Sequence, residues 1–444
     1  MVKKSAYSLI FFYGLVYLAC QSSLGRLNKK ELPASFQNVV IDQNAVTGSY
    51  QPCEPSIFVS PADPQNIVAG VVLNKTFHST DGGQNWTMQI VESPYGVYGD
   101  PVITADPKGQ FYFAHLADPS GSGRSNTSWL DRIVVQRSVD QGRTWNEGSF
   151  AGHRPPADQD KHWLTIDPAN NHIYMTWTEF DKYGSTSMDH KSRILFAKSI
   201  DDAESWSEAV SISQFEGDCI DSDLTPEGAV PAVGPNGEIY VGWAFDEKIY
   251  FDRSLDRGST WITKDIVAAD QVGGWDIDIP GLGRANGMPV TVTDLSRGPH
   301  RGTIYINYCD QSNGIDDTDV WLVRSKDKGL TWSEPLRVNN DPPGRHQFFT
   351  WMCCDATTGA IYIVFYDRRD LSGTYTNVYL AYSFDGGQSF NNIKVSETPF
   401  EAQTGIFFGD YNNISAHDGI IRPIWTRLDE GKTSIWTALI DLRP

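Results

Sequence analysis

The sequence predicts an all-β protein that is built by repetition of one structural unit. Three observations support this prediction: an eight-residue motif recurs six times, its copies begin at regular intervals, and the composition favours strands and turns. The 444 residues include 14 Trp, 19 Tyr and 39 Gly, which are typical of strands and tight turns rather than of a helical protein. The length alone would suggest two or three domains, but repetition explains it with a single one.

The repeated motif has the form Ser-x-Asp-x-Gly-x-Thr-Trp. Its copies span residues 79–86, 138–145, 199–206, 254–261, 325–332 and 383–390. Two copies are degenerate, because Ala203 replaces the glycine of the third and Phe390 replaces the tryptophan of the last. The aspartate can accept hydrogen bonds from turn amides, glycine permits a positive φ, and tryptophan can pack between neighbouring sheets. We therefore assign a structural role to the motif aspartates, Asp81, Asp140, Asp256, Asp327 and Asp385.

This motif resembles the Asp-box, or BNR repeat, of the sialidase-like β-propeller superfamily. The resemblance implies that each box lies on the outer hairpin of one blade, away from the active site. The boxes begin roughly 60 residues apart, and residues 391–444 are enough for one more blade. The sequence therefore predicts a seven-bladed β-propeller, with six blades as the alternative. We expect residues 36–41 to add the last strand of the terminal sheet and close the ring, because closure protects sheet edges.

The amino terminus has the pattern of an export signal. Lys3 and Lys4 precede an apolar run over residues 6–19, which is short for a membrane span but has the length of a signal-peptide core. Cys20 follows, and this arrangement resembles a bacterial lipoprotein signal in which the cysteine is acylated. A plain secretory peptide cut near Ala19 is the alternative.

These features predict the organisation of the whole chain. We expect a signal peptide over residues 1–19, a flexible tether over 20–35 and one propeller domain over 36–444. The protein would be exported and either anchored by its lipid to a bacterial membrane, with the outer membrane as a candidate, or periplasmic. The lipid would be its only contact with the membrane, and we expect a monomer.

Charge and cysteine content exclude some partners. The formal net charge is −19, which argues against nucleic acid as a partner because nucleic-acid binders need a basic face. Five cysteines besides Cys20 cannot all pair and match no zinc pattern, which leaves one disulfide open. We expect no metal or other cofactor; calcium bound by the acidic segment 313–319 is the alternative.

In a propeller, the loops and strand starts at one end of the central channel converge from every blade, so we expect the ligand site there. Each converging segment would precede an apolar strand. The segments are residues 53–56, 98–101, 159–163, 226–229, 284–289, 345–348 with Trp351, and 408–412. Their number supports seven blades independently of the boxes.

These segments hold the candidate functional residues. They concentrate cations, carboxylates and aromatic rings, which suits an acidic sugar because arginine pairs with carboxylate or sulfate and rings stack on a sugar face. The predicted catalytic residues are His162, His346, Tyr411 and Asp100. The predicted substrate-binding residues are Arg284, Arg345, Lys161, Glu54, Glu227, Asp410 and Trp163. The alternatives are turn caps for Asp100 and Asp410, bonds to loop amides for Glu54, and channel packing for Trp163.

The resemblance specifies the fold more strongly than the reaction. Sialidases bind a carboxylate with three arginines, the first of which lies in an Arg-Ile-Pro motif. The first of the converging segments, here called mouth segments because they meet at one mouth of the channel, carries Cys53-Glu54-Pro55 instead. Seven-bladed propellers also include polysaccharide lyases such as ulvan lyases, whose chemistry needs a cation for the uronate carboxylate and a base such as histidine or tyrosine. We therefore predict an enzyme that degrades uronate-bearing oligosaccharides, sulfated or not, by elimination, as a lyase or dehydratase. Sialidase-type hydrolysis and non-catalytic glycan binding are the alternatives.

Overall fold

The computed structural model describes residue 33 and residues 35–43 and 51–443, and it consists almost entirely of strands and turns. Within these ranges the one helical element is a 3₁₀ helix over Gly123–Ser125. None of the described residues forms a helix long and apolar enough to cross a membrane. The predicted signal peptide and Cys20 lie outside the described residues.

Seven antiparallel sheets of four or five strands, the blades, follow one another along the chain, and the first strand, β1 (Asn38–Asp42), belongs to the last of them. Blade 1 contains β2 (Ser56–Val59), β3 (Ile67–Val71), β4 (Lys75–Ser79) and β5 (Thr87–Ile90). Blade 2 contains β6 (Val102–Ala105), β7 (Phe111–Leu116), β8 (Ile133–Ser138) and β9 (Ser149–Ala151). Blade 3 contains β10 (Asp158–Ile166), β11 (Ile173–Phe180), β12 (Ser192–Ser199) and β13 (Val210–Ser211).

The second half of the ring follows the same plan. Blade 4 contains β14 (Glu227–Val233), β15 (Ile239–Phe245), β16 (Lys248–Ser254) and β17 (Ile266–Asp270), and a small hairpin, β18 (Asp276–Ile277) with β19 (Ala285–Asn286), follows it. Blade 5 contains β20 (Val290–Thr293), β21 (Ile304–Asp310), β22 (Asp319–Ser325) and β23 (Leu336–Arg337). Blade 6 contains β24 (Gln347–Cys354), β25 (Ile361–Asp367), β26 (Tyr375–Ser383) and β27 (Asn391–Lys394), with β28 (Phe400–Glu401) also paired to β26. Blade 7 contains β29 (Asn413–His417), β30 (Ile420–Asp429) and β31 (Lys432–Ala438), with β32 (Ile440–Asp441) paired to β30.

The first strand of each blade contacts the first strand of the next, so that these strands surround the central channel. The contacts run from β2 through β6, β10, β14, β20 and β24 to β29, and β29 contacts β2 again. This closed cycle confirms the predicted all-β, seven-bladed β-propeller, and the six-bladed alternative is wrong.

The amino-terminal strand closes the ring as predicted. β1 pairs with β31 as the outermost strand of blade 7, and Asn38 lies opposite Ala438. A buried ion pair fixes β1 to blade 1, because Lys75 Nζ donates to Asp42 Oδ2 at 2.7 Å. Arg422 of β30 reaches from blade 7 to blade 1 and donates from two nitrogens to the Gly82 carbonyl oxygen at 2.7 and 2.8 Å. The seam is therefore held by strand pairing, one buried charge pair and one buried guanidinium.

The boxes have the structural role that their residue types predict. Asp327 of the blade 5 box accepts hydrogen bonds from the Thr331 amide at 3.0 Å, the Thr331 hydroxyl at 2.6 Å and the Ser325 hydroxyl at 2.8 Å. The hydrogen bonds from Thr331 lower the pKa of Asp327 to about 2, so that its carboxylate stays ionised in the turn.

The box glycine is required where blades meet. Gly329 has a φ of 80°, and a Cβ at this position would lie 2.1 Å from a ring carbon of Phe251 in β16. The same ring packs edge-on against Trp332 with 5.0 Å between centroids, so the box tryptophan does pack against the neighbouring sheet. In blade 3, Ala203 holds the glycine position at a φ of 62°. Phe251 lies in β16, three residues before the serine of its box. The corresponding residue in β8, three residues before Ser138, is Val135, which is smaller than phenylalanine.

Candidate functional site

A backbone conformation that recurs just before the inner strands shapes one mouth of the channel. The inner strand of a blade is its first strand, which lines the channel. In five blades one residue near the start of this strand has a φ between 47° and 73°. It lies two positions before the strand begins in blades 1 and 2, and two positions before pairing resumes after a bulge in blades 3, 4 and 6. These residues are Glu54, Asp100, Lys161, Gly228 and Phe349. A left-handed conformation costs a non-glycine residue ~1–2 kcal/mol, and such strain is concentrated at functional sites. Three of the four non-glycine residues are ionisable, and all three belong to blades 1–3.

These three ionisable residues line a cavity of about 320 Å³, here named the mouth cavity. Its other polar lining residues are Arg124, Asp160 and Arg284, and its aromatic ones are Tyr98, Trp129, Tyr183 and Phe407. The volume lies at the lower end of the usual range for small-molecule sites, about 300–1,000 Å³. Four predicted site residues, Glu54, Asp100, Lys161 and Arg284, are therefore brought together here.

Asp410 organises the charges beneath this cavity. Lys161 Nζ donates to Asp410 Oδ2 at 2.6 Å and lies 3.4 Å from Asp100 Oδ2. The Arg284 guanidinium donates to both Asp410 oxygens, from Nε at 2.7 Å and also from Nη2. Burial alone would raise the pKa of Asp410, but the charges of Arg284 and Lys161 outweigh burial and hold the pKa well below its usual range. Two of the three cations that we predicted to bind substrate, Lys161 and Arg284, are thus already paired with a carboxylate.

Other carboxyl groups in the same place retain protons more tightly than usual. Burial raises the pKa of Asp160 to about 7, and the negative charges of Asp100 and Asp221 act in the same direction, against Lys161. Burial also raises the pKa of Glu54 well above its usual value, with Asp100 and Asp410 adding to the effect. At neutral pH the mouth cavity therefore contains at least one carboxyl group, that of Asp160, that can donate a proton.

Asp160 was not among the predicted catalytic residues, although the sequence placed it in a mouth segment. Its Oδ1 accepts a hydrogen bond from the Lys161 amide at 2.8 Å, which fixes the carboxyl at the bulge of β10. Its signal in the sequence was adjacency to Lys161 at the start of a strand, but nothing in the sequence revealed the depth of its burial.

Aromatic rings form one wall of the mouth cavity, here named the aromatic wall: Tyr98, Trp129 and Tyr183. The rings of Tyr98 and Trp129 pack edge to face with 5.6 Å between centroids, and those of Trp129 and Tyr183 with 5.9 Å. The Tyr183 hydroxyl donates to Asp221 Oδ2 at 3.2 Å. Trp129 and Tyr183 lie in the loops that follow β7 and β11, outside the segments that the sequence analysis singled out.

A second group of rings lies in the channel below the mouth. Trp163 and Trp351 are 4.3 Å apart between ring centroids, and Tyr411 is 5.1 Å from Trp163. Trp163 and Trp351 also line a larger, mainly apolar cavity of about 510 Å³ in the central channel. Trp163 therefore has the packing position that the sequence analysis left open and does not line the mouth cavity. Tyr411 is buried, and burial raises the pKa of its phenol well above the usual value.

The two predicted catalytic histidines lie away from the mouth cavity. His162 is 1% exposed, and burial lowers its pKa to about 3. His346 Nδ1 lies 3.1 Å from the Thr318 hydroxyl, and burial together with the nearby Arg368 lowers its pKa. Arg345 is exposed on the loop before β24, where its amide donates to Asp317 Oδ1 at 3.2 Å.

Glu227 is fully buried near the site without lining the cavity. Burial, together with the charge of Asp221, raises the pKa of Glu227 well above the usual value. The described residues contain no group of three or more His, Cys, Asp or Glu side chains placed to hold a metal ion. Five of the cysteines, Cys53, Cys219, Cys309, Cys353 and Cys354, are free thiols.

Comparison with known proteins agrees with this architecture. The family model described as the BNR/Asp-box repeat matches residues 77–88. The chain is an Asp-box β-propeller. A sialidase of Bacteroides fragilis is 22% identical to this propeller over 282 residues, covering 58% of the propeller and 48% of the sialidase. The chain thus spans about half the length of that curated relative.

Two solved structures have the same fold. An ulvan lyase of the PL25 polysaccharide lyase family, bound to -[GlcA(1-4)Rha3S]-, has a TM-score of 0.52 and 12% identity, with 93% of the propeller and 96% of that chain covered. The NanB sialidase of Streptococcus pneumoniae has a TM-score of 0.50 and 10% identity, with coverages of 84% and 83%. At these identities the similarity establishes the fold of the propeller.

Proposed function

We propose that this propeller is a carbohydrate-active enzyme that hydrolyses glycosidic bonds in the mouth cavity, with Asp160 as the general acid. The observation that carries the proposal is the Asp160 carboxyl, whose pKa burial raises to about 7 while it lines the cavity. A general acid works best when its pKa is close to the working pH. The names of similar proteins, a sialidase and an ulvan lyase, support a glycan as the substrate.

A second carboxylate completes the pair that glycoside hydrolysis needs. Asp100 lines the same cavity, and its Oδ2 lies 3.4 Å from Lys161 Nζ. In this proposal Asp160 protonates the leaving oxygen, and Asp100 activates water or stabilises positive charge at the anomeric carbon. The aromatic wall supplies apolar ring faces against which a sugar can pack.

Elimination, the reaction that the sequence analysis favoured, is the second candidate. Lys161 and Arg284 at the cavity are the observation that supports it, because elimination requires a cation to neutralise a uronate carboxylate. Elimination also requires a base, and this requirement argues for hydrolysis instead. The histidines proposed as bases lie outside the cavity lining, and a phenol with a raised pKa, as in Tyr411, is a poor base at neutral pH.

A panel of defined oligosaccharides tests the proposal. We expect release of reducing sugar without the ultraviolet absorbance of an unsaturated uronate, and Asp160→Asn should lower kcat at least ~100-fold, the usual contribution of a general acid. The control is Asp256→Asn, in the box of blade 4 on its outer hairpin. Unsaturated products would favour elimination, and binding without any product would favour a non-catalytic glycan-binding role.

A further inference from the structure

Arg124 is a cation of the mouth cavity to which the mechanism above gives no role. It lies in the 3₁₀ helix between β7 and β8, lines the cavity and is exposed. Its guanidinium carbon is 5.2 Å from the ring centroid of Trp129 and 5.3 Å from that of Tyr183. The side chain is thus held on the aromatic wall by cation–π contacts.

The three cations of the cavity differ in their partners. Lys161 is paired with Asp410 and Asp100, and Arg284 is paired with Asp410 and Asp221. Arg124 forms no ion pair with any of the described residues. Arg124 is therefore the cavity cation that remains available to a negatively charged ligand.

The acid of the loop that contains Arg124, Asp118, is already engaged in hydrogen bonds within that loop. Asp118 Oδ2 accepts a hydrogen bond from the Gly123 amide at 2.7 Å, and Asp118 Oδ1 accepts from the Asn126 side chain and the Ser120 hydroxyl, each at 3.1 Å. Asp118 therefore orders the loop instead of neutralising Arg124. The guanidinium of Arg124 packs on the rings of Trp129 and Tyr183. Its N–H donors form no hydrogen bond to the other described residues of this site.

We propose that Arg124 binds a carboxylate or sulfate group of the glycan in the mouth cavity, so that the substrate is an acidic glycan. A guanidinium supported on aromatic rings presents its edge to such a group, and its planar donors match two oxygens of a carboxylate or sulfate. The net charge of −19 would repel an acidic glycan at a distance, which makes a local cation necessary for its binding. This inference rests on the proposed function in one respect, namely that the ligand of the cavity is a glycan.

Matched pairs of ligands test this inference with the full chain. The ligands are a glucuronate-bearing oligosaccharide with its carboxyl-reduced form, and a sulfated oligosaccharide with its desulfated form, and binding is measured by calorimetry. We expect the unmodified protein to bind at least one anionic member more tightly than its neutral counterpart. Arg124→Gln should weaken binding of that member about tenfold and leave the neutral member unchanged, as expected for one charge-assisted contact. The pair that responds identifies carboxylate or sulfate as the group that is bound.

Two further variants separate charge from geometry. Arg124→Lys keeps the charge but loses the planar fork, so we expect an intermediate affinity. Arg143→Gln removes an exposed arginine of the blade 2 box and should change nothing. An unchanged preference in Arg124→Gln, or no preference for either anionic ligand in the unmodified protein, would overturn the inference. Failure of the proposed function is a separate result, since it would be seen as binding without cleavage of any ligand.

Discussion

Lys161 Nζ lies 2.6 Å from Asp410 Oδ2, and both side chains are almost fully buried, with 4% and 2% exposed. Blade 3 supplies the lysine, and the segment before the first strand of blade 7 supplies the aspartate. With Arg284 on the same carboxylate, the pair joins three distant parts of the chain at the floor of the mouth cavity. Its integrity should therefore matter for folding as well as for the site.

Asp410→Asn should lower the free energy of unfolding by about 3–5 kcal/mol, because it leaves the buried Lys161 charge and one face of Arg284 without a counter-charge. Urea unfolding followed by tryptophan fluorescence measures this change. The control is Asp429→Asn, which breaks the more exposed pair with Arg427 and should cost less than about 1 kcal/mol. Equal losses in the two variants would contradict the role given to Asp410.

The same residue should make the protein sensitive to acid. A carboxyl whose folded pKa lies below its unfolded value stabilises the fold above that unfolded value and loses this contribution as the pH falls. We expect the stability of the unmodified protein to decrease below about pH 4, the usual pKa region of aspartate. In Asp410→Asn this part of the pH dependence should be missing, which unfolding curves at several pH values would reveal.

Asp160 should set the upper limit of the activity in pH. Its pKa is about 7, and a general acid must be protonated to donate, so kcat/KM should fall as the pH rises through about 7. The same raised pKa affects stability, because the folded state binds this proton more tightly than the unfolded state does. The free energy of unfolding should therefore fall as the pH rises from about 4, the pKa of aspartate in the unfolded chain, to about 7. Initial rates across this range test the first statement, and constant rates from pH 6 to about 8 would contradict it.

Gly329→Ala should destabilise the propeller by roughly 2 kcal/mol, because the new methyl group would collide with the Phe251 ring at a φ of 80°. Activity per folded molecule should not change, since the box lies on the outer hairpin of its blade. The matched control is Ala203→Gly at the corresponding position of blade 3, where an alanine is already present. Thermal unfolding of the two variants provides the comparison, and a similar small change in both would contradict the packing argument.

Phe407→Ala should weaken substrate binding with little effect on stability. The ring is 48% exposed, lines the mouth cavity and lies 5.3 Å from the guanidinium carbon of Arg284, so it is placed to contact a bound sugar. We expect KM to rise about tenfold with kcat nearly unchanged, in line with the ~1–1.5 kcal/mol of one aromatic contact. Phe215→Ala is the control, because Phe215 is 45% exposed but does not line the cavity. A similar KM in both variants would count against a role for Phe407.

The repeat predicted the fold because its chemistry is local. Each box contains its own hydrogen-bond acceptor, its own packing ring and its own left-handed residue, which is glycine in every box except that of blade 3, where it is Ala203. Spacing alone therefore located the blades. The mouth residues Glu54, Asp100 and Arg284 could also be found, since they directly precede the inner strands. Cys20 and the signal peptide stay predictions.

The rest of the site could not be predicted from the repeat. Arg124, Trp129 and Phe407 lie in long mouth loops, and nothing local sets the path of such a loop. The position of His162 depends on a β-bulge, which the repeat does not reveal. Lys161 and His162 both lie opposite Trp177, so the side chains that follow the bulge exchange the two faces of the strand. Lys161 reaches the cavity, whereas His162 is buried in the interior.

The pairing of Asn38 with Ala438 has a consequence for how the protein is made. These two partners are 400 positions apart, so β1 leaves the ribosome long before the strand β31 with which it pairs. At about 5–20 residues per second, translation separates them by roughly 20–80 s. During that time blades can form in succession, but the ring stays open and β1 lacks its partner strand. Completion of the fold thus requires strands from the two ends of the propeller.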